Sequence, residues 1–96
     1  MAKYRFTQRA ELDLEAIAEY TIERFGAEKA RAYLADFKLC FDRLVENPDI
    51  GRRVEHLGAG LRRFEQGSHI VFYQVADDGI LIVRVLHYRM DVRRYL

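Results

Sequence analysis

The sequence predicts an α+β domain in which an antiparallel helical hairpin packs on one face of an antiparallel sheet. Three observations predict it: a short strand pattern at the start, two adjacent segments of helical periodicity, and three strand patterns ending the chain in a meander. Strands grouped apart from helices favour helices layered on one side of a sheet. The 96 residues are expected to form one domain, residues 1–96, because so short a chain has room for a single core.

The first strand and the first helix are predicted between residues 3 and 25. Residues 3–6 alternate polar and aromatic side chains, as a half-exposed strand does. Thr7 offers a hydroxyl to the free N–H groups of a helix start. The residues predicted on the inner face of the helix recur at three- and four-residue spacings and are Ala10, Leu14, Ile17, Ala18, Thr21 and Phe25. Gly26 is expected to end this helix, because glycine adopts the left-handed conformation at low cost.

A second helix is predicted directly after Gly26, so the two helices form an antiparallel hairpin. Its predicted inner positions are Ala30, Tyr33, Leu34, Phe37, Phe41, Leu44 and Val45. Pro48 ends the pattern, because proline lacks the N–H donor that a helix needs. Cys40 is the single cysteine, so an intrachain disulfide is excluded, and its helical context predicts a buried, unreactive thiol.

The second half of the chain predicts a loop followed by three antiparallel strands. Residues 49–60 contain three glycines and no periodicity, which indicates a connecting loop. Strands are predicted at residues 61–65, 68–76 and 80–87. The turn Asp77-Asp78-Gly79 favours a tight hairpin, because Asp-Gly tolerates positive φ angles.

The last predicted strand is apolar on both sides. The residues predicted to face one side are Ile80, Ile82 and Leu86, and those predicted to face the other are Leu81, Val83 and Val85. One helical layer covers only one face of a sheet, so the second face is expected to need another cover. The tail, residues 92–96, is expected to supply part of that cover and a partner chain the rest, which predicts an interaction surface.

Charge and hydropathy narrow the class of protein. Residues 1–50 carry eight Lys/Arg against ten Asp/Glu, a net of −2, whereas residues 51–96 carry eight against five, a net of +3. The basic second half indicates either an anionic partner or ordinary scatter. No apolar run approaches the length of a membrane span or a signal peptide, so a cytoplasmic protein without membrane contact is expected.

The candidate chemistry lies in a basic and aromatic set. Three histidines stand far apart without metal-ligand spacing, so neither a metal nor another cofactor is expected. Metal-free cleavage of RNA needs a proton acceptor, a proton donor and cations on the phosphate. The residues that could supply these groups are Arg62, Arg63, Arg84, His87 and Tyr88. The alternative is structural: Arg84 pairs with an acid such as Glu65, and His87 bonds to backbone.

Three segments resemble one known family. They are TQRAELDLEAIAEY followed by FG, then LVENPDIGRRVEHLGAGLRRFEQGSHIVFY, and above all RVLHYRMD at residues 84–91. Their order and spacing, over almost the whole chain, resemble the ParE toxins of the RelE/ParE superfamily of bacterial type II toxin–antitoxin systems.

That resemblance implies a toxin held in a hetero-oligomer by a ParD-like antitoxin, whose C-terminal segment folds over the toxin surface. It also implies that the free toxin inhibits DNA gyrase without being an enzyme, and no direct sequence-specific binding of nucleic acid is expected. The residues predicted to carry toxicity are Arg84, His87, Arg89, Met90 and Asp91. The residues predicted to contact the antitoxin are Leu12, Tyr20, Ile80, Ile82 and Leu86.

Two other functions stay open at this level. RelE and YoeB in the same superfamily are ribosome-dependent mRNA endonucleases. His87-Tyr88 resembles the end of the YoeB branch, and Arg63 and Arg84 fall where that branch keeps basic residues. The loop, however, carries Arg52 and Arg53 in place of the lysines of RelE. The last alternative is a non-toxic relative kept as an interaction module.

Overall fold

A computed structural model describes residues 3–96, so the first two positions of the predicted domain lie outside the described residues. The elements in chain order are β1 (Lys3–Phe6), α1 (Gln8–Phe25), α2 (Ala27–Glu46), β2 (Arg52–Arg53), β3 (Leu61–Gln66), β4 (His69–Ala76), β5 (Gly79–His87) and α3 (Val92–Tyr95). The strands form one five-stranded sheet in the order β1-β5-β4-β3-β2, and α1 and α2 pack on one face. The predicted α+β layering is therefore confirmed.

The helical hairpin begins and ends where the sequence predicts. The Thr7 hydroxyl accepts a hydrogen bond of 3.0 Å from the N–H of Ala10, which caps the start of α1. Gly26 ends α1 with a φ of 92°, and its N–H donates to the carbonyl of Ile22. Helix α2 follows at once and stops before Asn47. The sharp turn at one glycine forces the two helices to run antiparallel.

The sheet is mixed, which corrects the prediction of an antiparallel sheet. Strands β3, β4 and β5 form the predicted antiparallel meander. Strand β1, however, pairs in parallel with β5, from Lys3 opposite Gly79 to Phe6 opposite Ile82. The direction of a pairing between the two ends of a chain leaves no local sequence pattern, so only the structure reveals it.

The main core lies between the hairpin and the sheet. Phe37, Phe41, Val71 and Tyr73 are among its buried side chains. The rings of Tyr4 and Phe6 on β1 lie 5.3 and 5.5 Å from the ring of Phe41, which fastens β1 to α2. Cys40 is buried in the same core, and burial raises the pKa of its thiol to about 11. The predicted burial of the cysteine is confirmed, and the raised pKa favours the protonated thiol over the reactive thiolate.

The second face of the sheet is covered by the chain itself, which corrects the expectation of a partner chain there. Its buried cluster is Val54, Leu61, Ile70, Phe72 and Leu86, and packed against it are Leu57, Val83, Met90 and Val92. The cover therefore comes from the loop after β2 and from the tail. The predicted loop at residues 49–60 also needs correction, because it contains β2, which pairs with Arg62 and Arg63 on β3.

A bulge in β5 changes the face of its second half. Tyr73 pairs with Ile82, but the preceding residue, Phe72, pairs with Arg84, so β5 carries one extra residue at this point. The alternation of side chains shifts by one, so Val85 joins the main core and Leu86 the cluster on the second face. The predicted grouping of Ile80, Ile82 and Leu86 on one side is therefore wrong for Leu86.

Candidate functional site

Two histidines that are far apart in sequence meet at one end of the sheet. His69 on β4 lies opposite His87 on β5, and their rings are nearly perpendicular with centroids 5.3 Å apart. The ring of Tyr88 lies 4.7 Å beyond that of His87. Counting back from the Asp77-Asp78-Gly79 turn without the bulge would place His69 opposite Leu86. The bulge therefore creates the histidine pair. The sequence does not predict this pair, because no residue type marks the position of the bulge.

His69 is held in its neutral form. The Tyr33 hydroxyl accepts a hydrogen bond from the N–H of Ser68 and shares a hydrogen bond of 2.6 Å with Nδ1 of His69. Burial and, to a smaller extent, the nearby His87 lower the pKa of His69 to about 4, and Asp13 partly opposes both. His69 is thus uncharged near neutral pH and is a poor proton donor.

A groove runs past the two histidines. It consists of two adjoining depressions of about 510 Å³ and about 410 Å³ that share Tyr20, His69 and His87, and we call it the histidine groove. Lysine, aspartate and aromatic side chains border the larger depression, among them Phe25, Lys29, Tyr33 and Asp36. Ala16, Ile17 and Met90 border the smaller one. Phe25, which is predicted on the inner face of α1, is instead 58% exposed and forms part of the groove wall.

Most of the residues predicted to carry toxicity lie at or beside this groove. His87 and Met90 line it. Arg89 is exposed, with Nε 3.0 Å from the Tyr88 hydroxyl and the guanidinium 5.4 Å from the centre of the Tyr88 ring. Asp91 caps α3 by accepting a hydrogen bond from the N–H of Arg93. The end of β5 therefore presents a compact basic and aromatic surface, which we call the rim and which consists of His87, Tyr88, Arg89 and Met90.

Arg84 is placed apart from that rim. Its Nε and Nη2 each donate to Asp13 of α1 at 2.8 Å, in a bidentate ion pair. The arginine and aspartate side chains are only 12% and 13% exposed. The alternative in which Arg84 forms a structural ion pair is correct, but its partner is Asp13 rather than Glu65. Arg84 does not offer its charge freely to a target.

The five residues of the nuclease alternative do not form one site. Arg62 donates to the carbonyl of Gly51 at 2.7 Å and pairs with Asp49. Arg63 pairs with Glu65. The register places Arg63 and Arg84 on either side of Phe72, on the sheet face opposite the hairpin, whereas His87 faces the hairpin side. Of this set, only His87 and Tyr88 have rings in contact.

The five residues predicted to contact the antitoxin divide into two groups. Ile80, Ile82 and Leu86 are 0%, 0% and 1% exposed, so they form the core of the chain and are not available to a partner. Apolar character alone could not separate core positions from contact positions in β5. Leu12 and Tyr20 are each 56% exposed. Tyr20 lines both depressions of the groove, while Leu12 lines neither.

Neither a metal centre nor a membrane span is found in the described part of the chain. Within residues 3–96, no group of three or more His, Cys, Asp and Glu side chains is placed to hold a metal ion. Within the same residues, no helix is both long enough and apolar enough to cross a membrane.

Comparison with known proteins identifies the family. A family model described as "ParE toxin of type II toxin-antitoxin system, parDE" matches residues 4–92. The chain belongs to the ParE toxin family. It is therefore a type II toxin of a ParDE-like toxin–antitoxin system, and the resemblance found in the sequence is confirmed.

Relatives of this ParE toxin come from several bacteria. Toxin ParE1 of Mycobacterium tuberculosis (strain CDC 1551 / Oshkosh) is 40% identical over 96 residues, covering 99% of this chain and 98% of the relative. Toxin ParE1 of Caulobacter vibrioides is 40% identical and covers 100% of this chain and 99% of the relative. Toxin ParE of Escherichia coli is 33% identical over 96% of this chain and 90% of the relative.

Solved structures share the fold. The chromosomal ParDE toxin–antitoxin system of P. aeruginosa contains a chain that superposes with a TM-score of 0.74 at 27% identity, covering 91% of this ParE toxin and 96% of that chain. A chain of the toxin–antitoxin complex RelBE2 of Mycobacterium tuberculosis has a TM-score of 0.64 at 24% identity, covering 90% and 96%, and shows the fold alone.

The neutral state of His69 predicts a pH dependence of stability in this ParE toxin. The pKa of His69 is about 4 in the folded state against 6.5 for the free side chain, so the unfolded chain binds a proton first as pH falls. Stability is retained above pH 6.5 and is lost progressively down to pH 4. Because the ring is partly exposed, we expect a loss on the order of 1 kcal/mol.

Denaturation curves at pH 7 and pH 4.5 test this dependence. Carboxylates also titrate in this range, so His69→Gln is the reference, since glutamine takes up no proton. The variant is expected to lose less stability than the wild type between the two pH values. Equal losses would show that His69 carries no such linkage.

Proposed function

We propose that this toxin is held inactive by a ParD-like antitoxin and that, once free, it inhibits DNA gyrase by binding rather than by catalysis. The observation that carries the proposal is the family match over residues 4–92. The target comes from the resemblance to gyrase-directed ParE toxins. The geometry of the described residues supports the non-catalytic part.

The distribution of cations favours binding over RNA cleavage. A metal-free nuclease must hold cations on the phosphate beside its acid and base. Here Arg62 and Arg84 are each hydrogen-bonded within the fold, to Gly51 and to Asp13, which leaves Arg89 as the exposed arginine beside His87 and Tyr88. His69, the second imidazole of the groove, has a pKa of about 4 and does not supply a proton at neutral pH.

The histidine groove and the outer side of the hairpin are proposed as the surface that the antitoxin covers. Tyr20 and Phe25 are 56% and 58% exposed and border the groove, so burying them would remove large apolar area from water. A disordered antitoxin segment that folds on binding is well suited to such a preformed surface. Leu12 remains a proposed contact on the adjoining part of α1.

A ribosome-dependent mRNA endonuclease is the second candidate. The observation that favours it is the contact of His87 with both Tyr88 and His69 beside an open groove, where an acid and a base could act together. Under this function His87→Ala would abolish toxicity. Under the gyrase function it would weaken toxicity only through the shape of the rim.

Parallel assays of the purified toxin separate the two candidates. We expect the protein to inhibit supercoiling by gyrase and to leave translation and mRNA integrity unchanged in a cell-free extract. Inhibition of translation without an effect on gyrase would overturn the proposal.

Adding the antitoxin to the same supercoiling assay tests the proposed antitoxin surface. A ParD-like antitoxin is expected to restore supercoiling. Tyr20→Asp should weaken that rescue, because it places a charge in the groove. Ile50→Asp is the matched control, because Ile50 lies in the loop after α2, outside the hairpin, is 41% exposed and lines neither depression.

A further inference from the structure

The edge of β5 beyond β1 is completed by two side chains, one from the capping residue of α1 and one from its second turn. Strand β1 pairs with β5 only as far as Ile82, so the next backbone groups have no strand partner on that side. The Thr7 hydroxyl donates to the carbonyl of Val83 at 2.7 Å. The Asp13 carboxylate accepts from the N–H of Val85 at 2.9 Å. Helix α1 therefore satisfies the polar groups at the bulge, as buried backbone requires.

Asp13 accepts hydrogen bonds from two residues at this edge, Arg84 and Val85. Its Oδ1 accepts from Nη2 of Arg84, and its Oδ2 accepts from both Nε of Arg84 and the N–H of Val85. Three donors on one carboxylate, one of them from a rigid backbone, fix the orientation of that carboxylate. The planar guanidinium of Arg84 is fixed in turn, because both of its contacts with Asp13 must be satisfied at once.

The remaining guanidinium nitrogen of Arg84 reaches the tail, residues 92–96. Nη1 of Arg84 donates to the carbonyl of Tyr95 at 2.7 Å, and the guanidinium lies 5.9 Å from the centre of the Tyr95 ring. Helix α3 has only four residues, far too few to persist in water on its own. Val92 packs against the cluster on the second face, and Tyr95 and Leu96 border one depression together with Leu57. Arg84 adds a polar anchor to these apolar contacts of α3.

We propose that Asp13 is a positioning residue that, through Arg84, fixes the tail against the edge of β5 and so presents Arg93, Arg94 and Tyr95 to the target of the toxin. The consequence for inhibition rests on the proposed function, whereas the ordering of the tail does not. The three presented side chains are exposed, and the two arginines give the tail a positive charge that fits an acidic protein surface. An aspartate on α1 would thereby control a surface that it does not touch.

Hydrogen exchange of the tail tests the positioning directly, because it needs neither target nor antitoxin. The amides of Arg94 and Leu96 bond to the carbonyls of Asp91 and Val92. In Asp13→Asn the neutral amide presents a donor where the carboxylate accepted, so these amides should exchange about tenfold faster. Amides of β4, which exchange only when the whole fold opens, report the accompanying loss of global stability separately from the tail. Asp13→Glu, which retains a carboxylate, should recover part of the loss.

Two further variants supply an independent test of the anchor and a control. Arg84→Lys retains the charge but cannot bond to Asp13 and Tyr95 together, so it should loosen the tail as Asp13→Asn does. Asp78→Asn breaks the exposed pair with Arg5 and should leave the tail unchanged. Unchanged tail exchange in both Asp13→Asn and Arg84→Lys would overturn the inference.

Gyrase inhibition and antitoxin affinity, measured on the same variant, test whether the tail contacts the target. Asp13→Asn should weaken gyrase inhibition about fivefold or more while antitoxin affinity stays within about twofold, a split that general unfolding would not produce. A loosened tail with unchanged inhibition would overturn the presentation role. A wild-type protein that does not inhibit gyrase would overturn only the proposed function, because the exchange comparison would still decide the role of Asp13.

Discussion

Gly79→Ala is expected to lower the free energy of unfolding by about 3 kcal/mol, because the new methyl group has no space. Gly79 has a φ of 148°, a conformation that other residues rarely adopt. A Cβ at this position would overlap the backbone carbonyl of Lys3, the residue with which Gly79 pairs. Relief would require β1 to leave β5 and to withdraw Tyr4 and Phe6 from the ring of Phe41.

Gly60→Ala is the matched control for that change. Gly60 also has a positive φ, of 70°, but a Cβ there would meet nothing within 4 Å. Only the conformational cost applies, about 1 kcal/mol. Urea denaturation of both variants separates the two contributions. If the two variants lost the same stability, the close approach of β1 to Gly79 would be refuted.

Arg84→Met is expected to destabilise the fold by about 3 kcal/mol, because it leaves Asp13 as a nearly buried charge without its counter-ion. The Asp13 and Arg84 side chains are 13% and 12% exposed, so water does not readily replace the lost contacts. Methionine keeps most of the apolar volume of the arginine stem, so the change reports the ion pair more than the packing.

An exposed ion pair provides the comparison for Arg84→Met. Arg5 and Asp78 lie 3.6 Å apart with side chains 59% and 57% exposed. Arg5→Met should therefore change stability by no more than about 0.5 kcal/mol in the same denaturation experiment. Similar losses for the two arginines would mean that Arg84 is not the structural anchor described.

The sequence predicts the helices and strands whose ends are set by interactions between residues close together in the chain. The capping hydroxyl of Thr7, the stop at Gly26 and the Asp-Gly turn before β5 each act over a few residues, and each element lies where it is predicted. The helical hairpin and the meander follow from them. The family resemblance rests on the same segments and is confirmed.

The sequence does not predict what depends on non-local contacts. The parallel pairing of β1 with β5 joins the two ends of the chain, and β2 forms only because β3 lies beside it. The bulge at Arg84 shifts Leu86 to the second face and brings His69 opposite His87. Burial of Ile80 and Ile82, and the partner of Arg84, likewise depend on how α1 and the sheet meet. The candidate site is therefore predicted at the end of β5 that borders the histidine groove, but with different neighbours from those that the structure places there.

A titration of gyrase with the purified toxin tests most directly whether this protein acts by binding. If it does, supercoiling should fall in proportion to added toxin and stop near stoichiometric amounts, and mRNA in a translating extract should stay intact. His87→Ala should retain part of the inhibition, because the rest of the rim is unchanged. Cleavage of mRNA at substoichiometric toxin, abolished by His87→Ala and with supercoiling unaffected, would contradict the account.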